Sequence, residues 1–191
     1  GEMAKKGYIY KGLKTVYWCP HCETALAEAE IEYNDDKSFS IYVKFKSVDV
    51  SGHMPKDADP EKVFALIWTT TPWTIPCNQA ISANENLEYV WVRVGDEYLL
   101  MAKELVDVTM QAGKVTDYEV LPDVMTGKQL EGMVFLHPFY DRKVPIILGD
   151  HVTLEAGTGL VHTAPDHGQD DFDVCMKYEA WGLKPMGTVD G

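Results

Sequence analysis

The stretch Gly157-Thr158-Gly159-Leu160-Val161-His162-Thr163-Ala164-Pro165-Asp166-His167-Gly168-Gln169-Asp170-Asp171 gathers glycines, two histidines and three acids into one segment. Leu160 to Thr163 predicts a short strand that breaks at Pro165 and Gly168. A helix follows, with Phe172, Cys175, Met176 and Glu179 to Ala180 at helical spacing, Lys177 late and Gly182 suited to a left-handed stop. His162 then stands at a strand end and Asp171 in a first helical turn. If the two face one cavity they form a site, because a helix N-terminus offers unpaired N–H groups beside a fixed carboxylate. The same residues also have a structural reading. First-turn acids such as Asp170 and Asp171 complement the helix dipole, and an imidazole between Val161 and Thr163 fits a satisfied core histidine.

Upstream, Val63 to Trp68 reads as a buried strand running into Thr69-Thr70-Thr71-Pro72-Trp73-Thr74-Ile75-Pro76-Cys77-Asn78. Phe39, Ile41, Val43 and Phe45 alternate with Ser40, Tyr42, Lys44 and Lys46, which predicts a strand with one solvated face. Ala25 to Tyr33 sets helix-forming alanines and glutamates against a period of two, and the period predicts a strand. Ser51 to Pro60 is a polar loop. Leu87 to Val94 and Glu97 to Met101 form a hairpin turned at Gly95-Asp96. Lys103 to Ala112 carries Leu105, Val108 and Thr109 on one face and stops at Gly113, as a surface helix does. Val115 to Leu121, Met133 to Leu136, Val144 to Leu148 and Val152 to Leu154 are further short strands. So many short strands with so few helices predict a mainly β fold, a closed or nearly closed β-barrel with a few peripheral α-helices.

Composition narrows the function classes. Apolar content of 46% is incompatible with global disorder. A net charge of -13 argues against a protein whose main task is gripping a nucleic-acid backbone, so contact with nucleic acid is expected only at an end or with help from other domains. The longest dense apolar run, Val63 to Trp68, is far short of a membrane span. The four cysteines form no secreted disulfide framework, which points to a reducing cytoplasm. Cys19-Pro20-His21-Cys22 resembles one half of a zinc ribbon whose second pair is missing, since Cys77 and Cys175 stand alone; a plain turn is the alternative. No bound metal is expected from this chain by itself. With a Gly-Glu-Met start and a Val-Asp-Gly end it reads as an excised, monomeric fragment: a leading segment over 1–33 with the half ribbon, then a barrel domain over 34–191.

Trp68 to Asn78, followed roughly ninety residues later by Gly157 to Pro165 and Asp170-Asp171, is similar to the editing (connective-peptide) domain of isoleucyl-tRNA synthetase, in the class I aminoacyl-tRNA synthetase family. The resemblance covers the whole chain, including Trp18-Cys19 to Tyr33 and Leu130-Glu131-Gly132. Related valyl and leucyl enzymes carry an Arg followed by an acid where Thr71-Pro72-Trp73 stands here, which favours the isoleucyl branch. The resemblance implies a β-barrel that hydrolyses valine wrongly esterified to the isoleucine tRNA and spares the isoleucine ester. It implies no cofactor for that reaction, with zinc reserved for the full-length protein. The partners it implies are the aminoacylated 3′ end of the tRNA and the remainder of the parent synthetase. The chain shows no ATP-binding signature, so it should edit and not aminoacylate.

The roles implied for matching positions are specific. Asp171 pairs with the free α-ammonium of the aminoacyl group. Thr69, Thr70 and Thr71 line the pocket and hold the ester end, with Trp68 beside them and Thr74 and Asn78 close behind. His162 limits side-chain size, so that Asp171, Thr70, Thr71 and His162 form the catalytic set. Water is the nucleophile, and no residue stands out as general base, which leaves positioning and a substrate ribose hydroxyl to carry the rate. A second sieve is needed because one methylene is worth only about 1–3 kcal/mol in an apolar pocket; isoleucine against valine at a synthetase is the standing example of that limit and not a value obtained from this chain. Two other classes stay open: a cysteine hydrolase built on Cys77 and Asn78 with His162, and a non-catalytic zinc-ribbon binding module on Cys19 and Cys22.

Overall fold

The computed structural model describes residues 1–187; residues 188–191, the end of the 34–191 span, lie outside the described residues. Contacts divide the chain into two compact units, Gly1–Asp36 and a larger one starting at Lys37. In the first, a short helix α1 (Glu2–Lys5) precedes a hairpin of β1 (Tyr17–Cys19) and β2 (Thr24–Leu26). The strand expected from Ala25 to Tyr33 stops at Leu26. Glu28–Glu30 is a 3-10 turn in which the Glu30 carboxylate accepts the Ala27 N–H at 2.7 Å. Most of this segment is exposed, so the alternation has no apolar face to bury and the local preference of Ala and Glu prevails.

The larger unit is built from β3 (Ile41–Asp49), β4 (Val63–Thr69), β5 (Ala80–Ala83), β6 (Glu88–Val94), β7 (Glu97–Ala102), β8 (Glu119–Thr126), β9 (Val134–Leu136), β10 (Lys143–Leu148) and β11 (Val161–Thr163). In the order β4-β3-β9-β10-β5-β11, with β11 returning to β4, six of these strands close a barrel. β7, β6 and β8 continue the sheet from β4 as a side wing. Helices α2 (Val106–Ala112) and α4 (Gln169–Lys177) pack on the outer faces of strands, and α3 (Gly127–Leu130) follows β8. The mainly β barrel with a few peripheral helices is therefore the observed fold.

Strand β4 shows how the pattern builds the closure. Val63, Ala65 and Ile67 alternate into the barrel core with Phe45, Ile81, Leu100 and Phe135, while Leu66 faces the outer cluster under α2 with Val92, Met101 and Met110. Its free edge is shared: Val63 to Ala65 pair with β7, and Trp68 pairs with Val161 of β11. The chain passes between β7 and β11 by the Gly-Thr-Gly turn, which only glycine permits. Gly157 has φ +81° with the Trp68 ring 3.0 Å from where a Cβ would stand; Gly159 has φ +72° and Ala102 Cβ at 2.3 Å. Ala102 N–H to Thr158 O (2.8 Å) and Tyr89 O–H to Gly159 O (2.8 Å) tie the turn down.

Two expectations need correction, and one strand was not expected. Val115 to Leu121 is not the strand: Val115 N–H closes the end of α2 on Met110 O, and pairing starts at Glu119 and runs to Thr126. β8 is a sheet edge, where Pro122 costs no ladder bond. Val152 to Leu154 is loop, because His151, Thr153 and Glu155 turn to a cavity and not to a neighbouring strand. β5, which the sequence reading passes over, is the inner strand pairing β10 in parallel and β11 antiparallel. Its four residues are all buried, so it shows no alternation.

Candidate functional site

At the barrel end where β4 finishes, Thr69-Thr70-Thr71 lead into a 3-10 turn, Pro72–Cys77, and β11 ends alongside at Thr163. The turn is clamped from behind by the loop between β9 and β10. His137 Nε2–H donates to Ile75 O (2.8 Å), and Arg142 Nη1 donates to Pro76 O (3.2 Å) and Asn78 O (2.7 Å). Helix α4 is fixed by Val174 and Cys175, which pack with Ala80, Ile147 and Leu183 on the outside of β5 and β10. Burying two such side chains holds a nine-residue helix far more firmly than its propensity would. Its first turn, with Asp170 and Asp171, is thereby fixed at the same end.

Between these elements lies a cavity of about 380 Å³, lined by Trp68, Thr69, Thr70, Thr71, Thr74, His162 and Asp171, joined by His151, Thr153, Glu155, Ala156, Val161 and His167. Every predicted substrate residue except Asn78 reaches its wall. Asn78 is fully buried and bonds to His162. Its amide nitrogen donates to Ala80 O (2.9 Å), an atom that can only accept, so the amide orientation is settled and the second N–H goes to His162 Nδ1 (2.8 Å). His162 therefore carries its proton on Nε2 and donates it to Thr74 Oγ1 (2.7 Å), which donates in turn to Thr71 O (2.8 Å). The imidazole is a fixed wall.

Burial reinforces this. Desolvation, with the His167 and His137 charges adding to it, pushes the His162 pKa down from 6.5 to about 4. It is neutral at physiological pH, and folding opposes its protonation. Since the folded value lies below the unfolded one, its stabilisation is complete above about pH 6.5 and is lost as pH falls through about 4. The difference is worth about 3 kcal/mol. Chemical denaturation at neutral and acid pH should show that acid sensitivity in the parent and a flatter profile in His162→Gln; parallel profiles would refute it.

Among the threonines, Thr69, Thr71 and Thr74 bond to one another, with Oγ1 pairs at 3.2 and 3.3 Å. Thr70 differs: its backbone carbonyl accepts from Ser38 Oγ (2.9 Å), and its exposed side chain makes no hydrogen bond among the described residues. Its hydroxyl is available to a ligand. Asp171 accepts the Ala164 N–H on Oδ2 (2.8 Å). Burial pushes its pKa up, against the Ala164 N–H and the neighbouring histidines, so the carboxylate gains from any cation brought beside it.

The alternatives fare worse. His162 has both nitrogens committed to Thr74 and Asn78, so none is left to activate Cys77, which is outside the cavity wall. Cys19 and Cys22 meet at the hairpin turn, with Cys22 N–H on Cys19 Sγ at 3.4 Å, and hydrogen bonds from the Cys22 and His21 backbone draw the Cys19 thiol down. They could supply two ligands to a metal. Among the described residues no group of three or more ligands forms, so the zinc half-site is not completed there.

The profile of the family described as tRNA synthetases class I (I, L, M and V) matches residues 1–171. The chain belongs to the class I tRNA synthetases. Two curated relatives agree, both isoleucine–tRNA ligases: one from Caldicellulosiruptor saccharolyticus is 56% identical over 187 residues, 97% of this chain, and one from Thermoanaerobacter sp. strain X514 is 55% identical over 191 residues, 100% of this chain. This synthetase segment spans about 20% of their length. A solved cytosolic leucyl-tRNA synthetase editing domain from P. knowlesi superimposes with a TM-score of 0.59 at 13% identity, over 75% of this chain and 63% of that one, a likeness of fold.

Sequence reasoning missed His151, Thr153 and Glu155 on the cavity wall. A signal was available: the three alternate with Val152 and Leu154, which is one polar face along an extended segment.

Proposed function

We propose that this synthetase segment is a post-transfer editing domain, which hydrolyses the ester of valyl-tRNA(Ile) and excludes isoleucyl-tRNA(Ile). The observation that carries the reading is the pairing, in one cavity, of a half-buried carboxylate with a rigid neutral imidazole. Asp171 gains by accepting the α-ammonium, a charge present on an aminoacyl ester and absent from an ordinary ester or internal peptide. His162, held at both nitrogens, cannot retreat to admit one more methylene. The free hydroxyl of Thr70 is placed to hold the ester end, and the bonded set of Thr69, Thr71 and Thr74 keeps the wall stiff.

A non-hydrolysable, amide-linked valyladenosine tests the reading by calorimetry. It should bind, and the isoleucyl counterpart should bind less well by about 1–3 kcal/mol, the limit a methylene allows. Equal affinities would remove the sieve.

A related prediction concerns tRNA. With 17 basic against 30 acidic residues, the segment has little to neutralise phosphates with, so whole tRNA should bind weakly and most affinity should belong to the rest of the synthetase. Tight, salt-sensitive binding of tRNA by the segment at physiological ionic strength would contradict this.

A further inference from the structure

A size gate works only if the His162 ring is held still, and one of the segments that hold it is poorly able to hold itself. Thr74 and Asn78, which bond to the two ring nitrogens at 2.7 and 2.8 Å, stand within and just after the 3-10 turn Pro72–Cys77. Such turns have poorer hydrogen-bond geometry than an α-helix, and Pro72 and Pro76 bring no N–H to this one. Donors therefore reach it from outside, from the loop between β9 and β10. His137 is fixed in both directions: Nδ1 accepts the Phe139 and Tyr140 N–H groups (3.3 and 3.2 Å), so the ring proton is on Nε2 and goes to Ile75 O (2.8 Å). Arg142 reaches further along the chain. Its Nη1 donates to Pro76 O (3.2 Å) and Asn78 O (2.7 Å), and its guanidinium carbon lies 5.5 Å from the centre of the Tyr140 ring. Asn78 is thus gripped twice, its carbonyl by Arg142 and its side-chain amide by Ala80 O and the imidazole.

We propose that Arg142 is a positioning residue for selectivity between the two esters, an inference that rests on the editing reading above. Arg142 is outside the cavity wall and acts through the turn. Hydrogen bonds run from its Nη1 to the Asn78 carbonyl, from the Asn78 amide to His162 Nδ1, and from His162 Nε2 to Thr74, so the guanidinium and the gate share one register. A guanidinium suits the task, because it keeps its charge at every pH of interest and its hydrogen bonds are about twice as strong as neutral ones. Without it, the carbonyl of the fully buried Asn78 loses a donor. The end of the turn then shifts toward another donor, the Asn78 amide moves with it, and the imidazole loses the fixed seat that keeps the longer side chain out.

The test is deacylation of valyl-tRNA(Ile) and isoleucyl-tRNA(Ile), without ATP, by the full-length synthetase carrying Arg142→Met or Arg142→Lys. Methionine keeps an unbranched apolar stem and removes the donors. Lysine restores a charged donor, and because one atom, Nη1, makes both bonds, an ammonium can take its place. Arg142→Met should gain hydrolysis of the isoleucyl ester while that of the valyl ester changes little, so that the ratio of valine to isoleucine cleavage falls by roughly 10-fold, the lower end of what one methylene allows. A merely destabilised protein loses both activities together, so it cannot show a gain on one ester. Arg142→Lys should keep most of the parent ratio. The proposal is overturned if Arg142→Met keeps the parent ratio, whether or not both rates fall, or if lysine does no better than methionine. The parent separates the two readings. If it cleaves both esters at one rate, the editing assignment fails and this inference with it; if it is selective and Arg142→Met is equally so, editing stands and only the role of Arg142 fails.

Discussion

Asp171→Ala is expected to remove nearly all deacylation of valyl-tRNA(Ile) while the barrel stays folded. The carboxylate is half-buried and offers the cavity a charge whose only bonded partner among the described residues is the Ala164 N–H. Truncating one member of a buried charge pair costs about 2–5 kcal/mol, so kcat/KM should drop roughly 30- to 5,000-fold. Stability should change little. The dipole contribution of a first-turn acid is about 0.3–1 kcal/mol, and relief of the carboxylate's burial offsets part of that loss and of the lost Ala164 bond. Asp171→Asn isolates the charge, because its amide oxygen can still accept from Ala164. Parallel kinetics and melting curves decide the matter: an Asp171→Ala variant that melts normally and hydrolyses the valyl ester at the parent rate would end the assignment.

His162→Ala should damage selectivity more than rate. Removing the ring enlarges the cavity on the side where it now stands between Thr74 and Asn78, and the isoleucyl ester should begin to enter. The ratio of valine to isoleucine cleavage should fall by roughly 10- to 200-fold, bounded by the methylene limit. The hydrogen-bond chain makes the ratio the right quantity to read. Alanine leaves the Asn78 amide and the Thr74 hydroxyl without their partner, which costs about 1–3 kcal/mol for a buried group, so both absolute rates can fall with stability. An unchanged ratio would mean that the imidazole is not the size gate, and Thr70 or Thr71 would take its place.

How much of this was legible depends on the kind of signal each residue leaves in sequence. Strands with one wet face, such as β3 with Tyr42 and Lys44 outward, are read directly from their alternation. So is the β6–β7 hairpin, turned at Gly95-Asp96. β5 leaves no such trace, since the barrel interior and the packing of α4 and β11 bury all four residues. Ala25 to Tyr33 shows the reverse failure, a periodic segment with little to bury. At the site, the motif residues Thr69 to Thr71, His162 and Asp171 do converge, while Asn78 lies behind the cavity wall and bonds to the imidazole. The split of roles among the threonines, with Thr70 alone free, follows from which hydroxyls the 3-10 turn brings within reach, and that is a property of the fold. His151, Thr153 and Glu155 leave no clear trace because Val152 to Leu154 reads as a strand, whereas the polar residues of that stretch line a cavity.

On the proposed editing reading, this cavity distinguishes two esters differing by one methylene and destroys the smaller. Hydrolysis of valyl-tRNA(Ile) and isoleucyl-tRNA(Ile), followed side by side in the same reaction, tests it most directly. The valine ester should be consumed while the isoleucine ester is hydrolysed roughly 10- to 200-fold more slowly. Cleavage of both at one rate, or faster loss of the isoleucine ester, would contradict it.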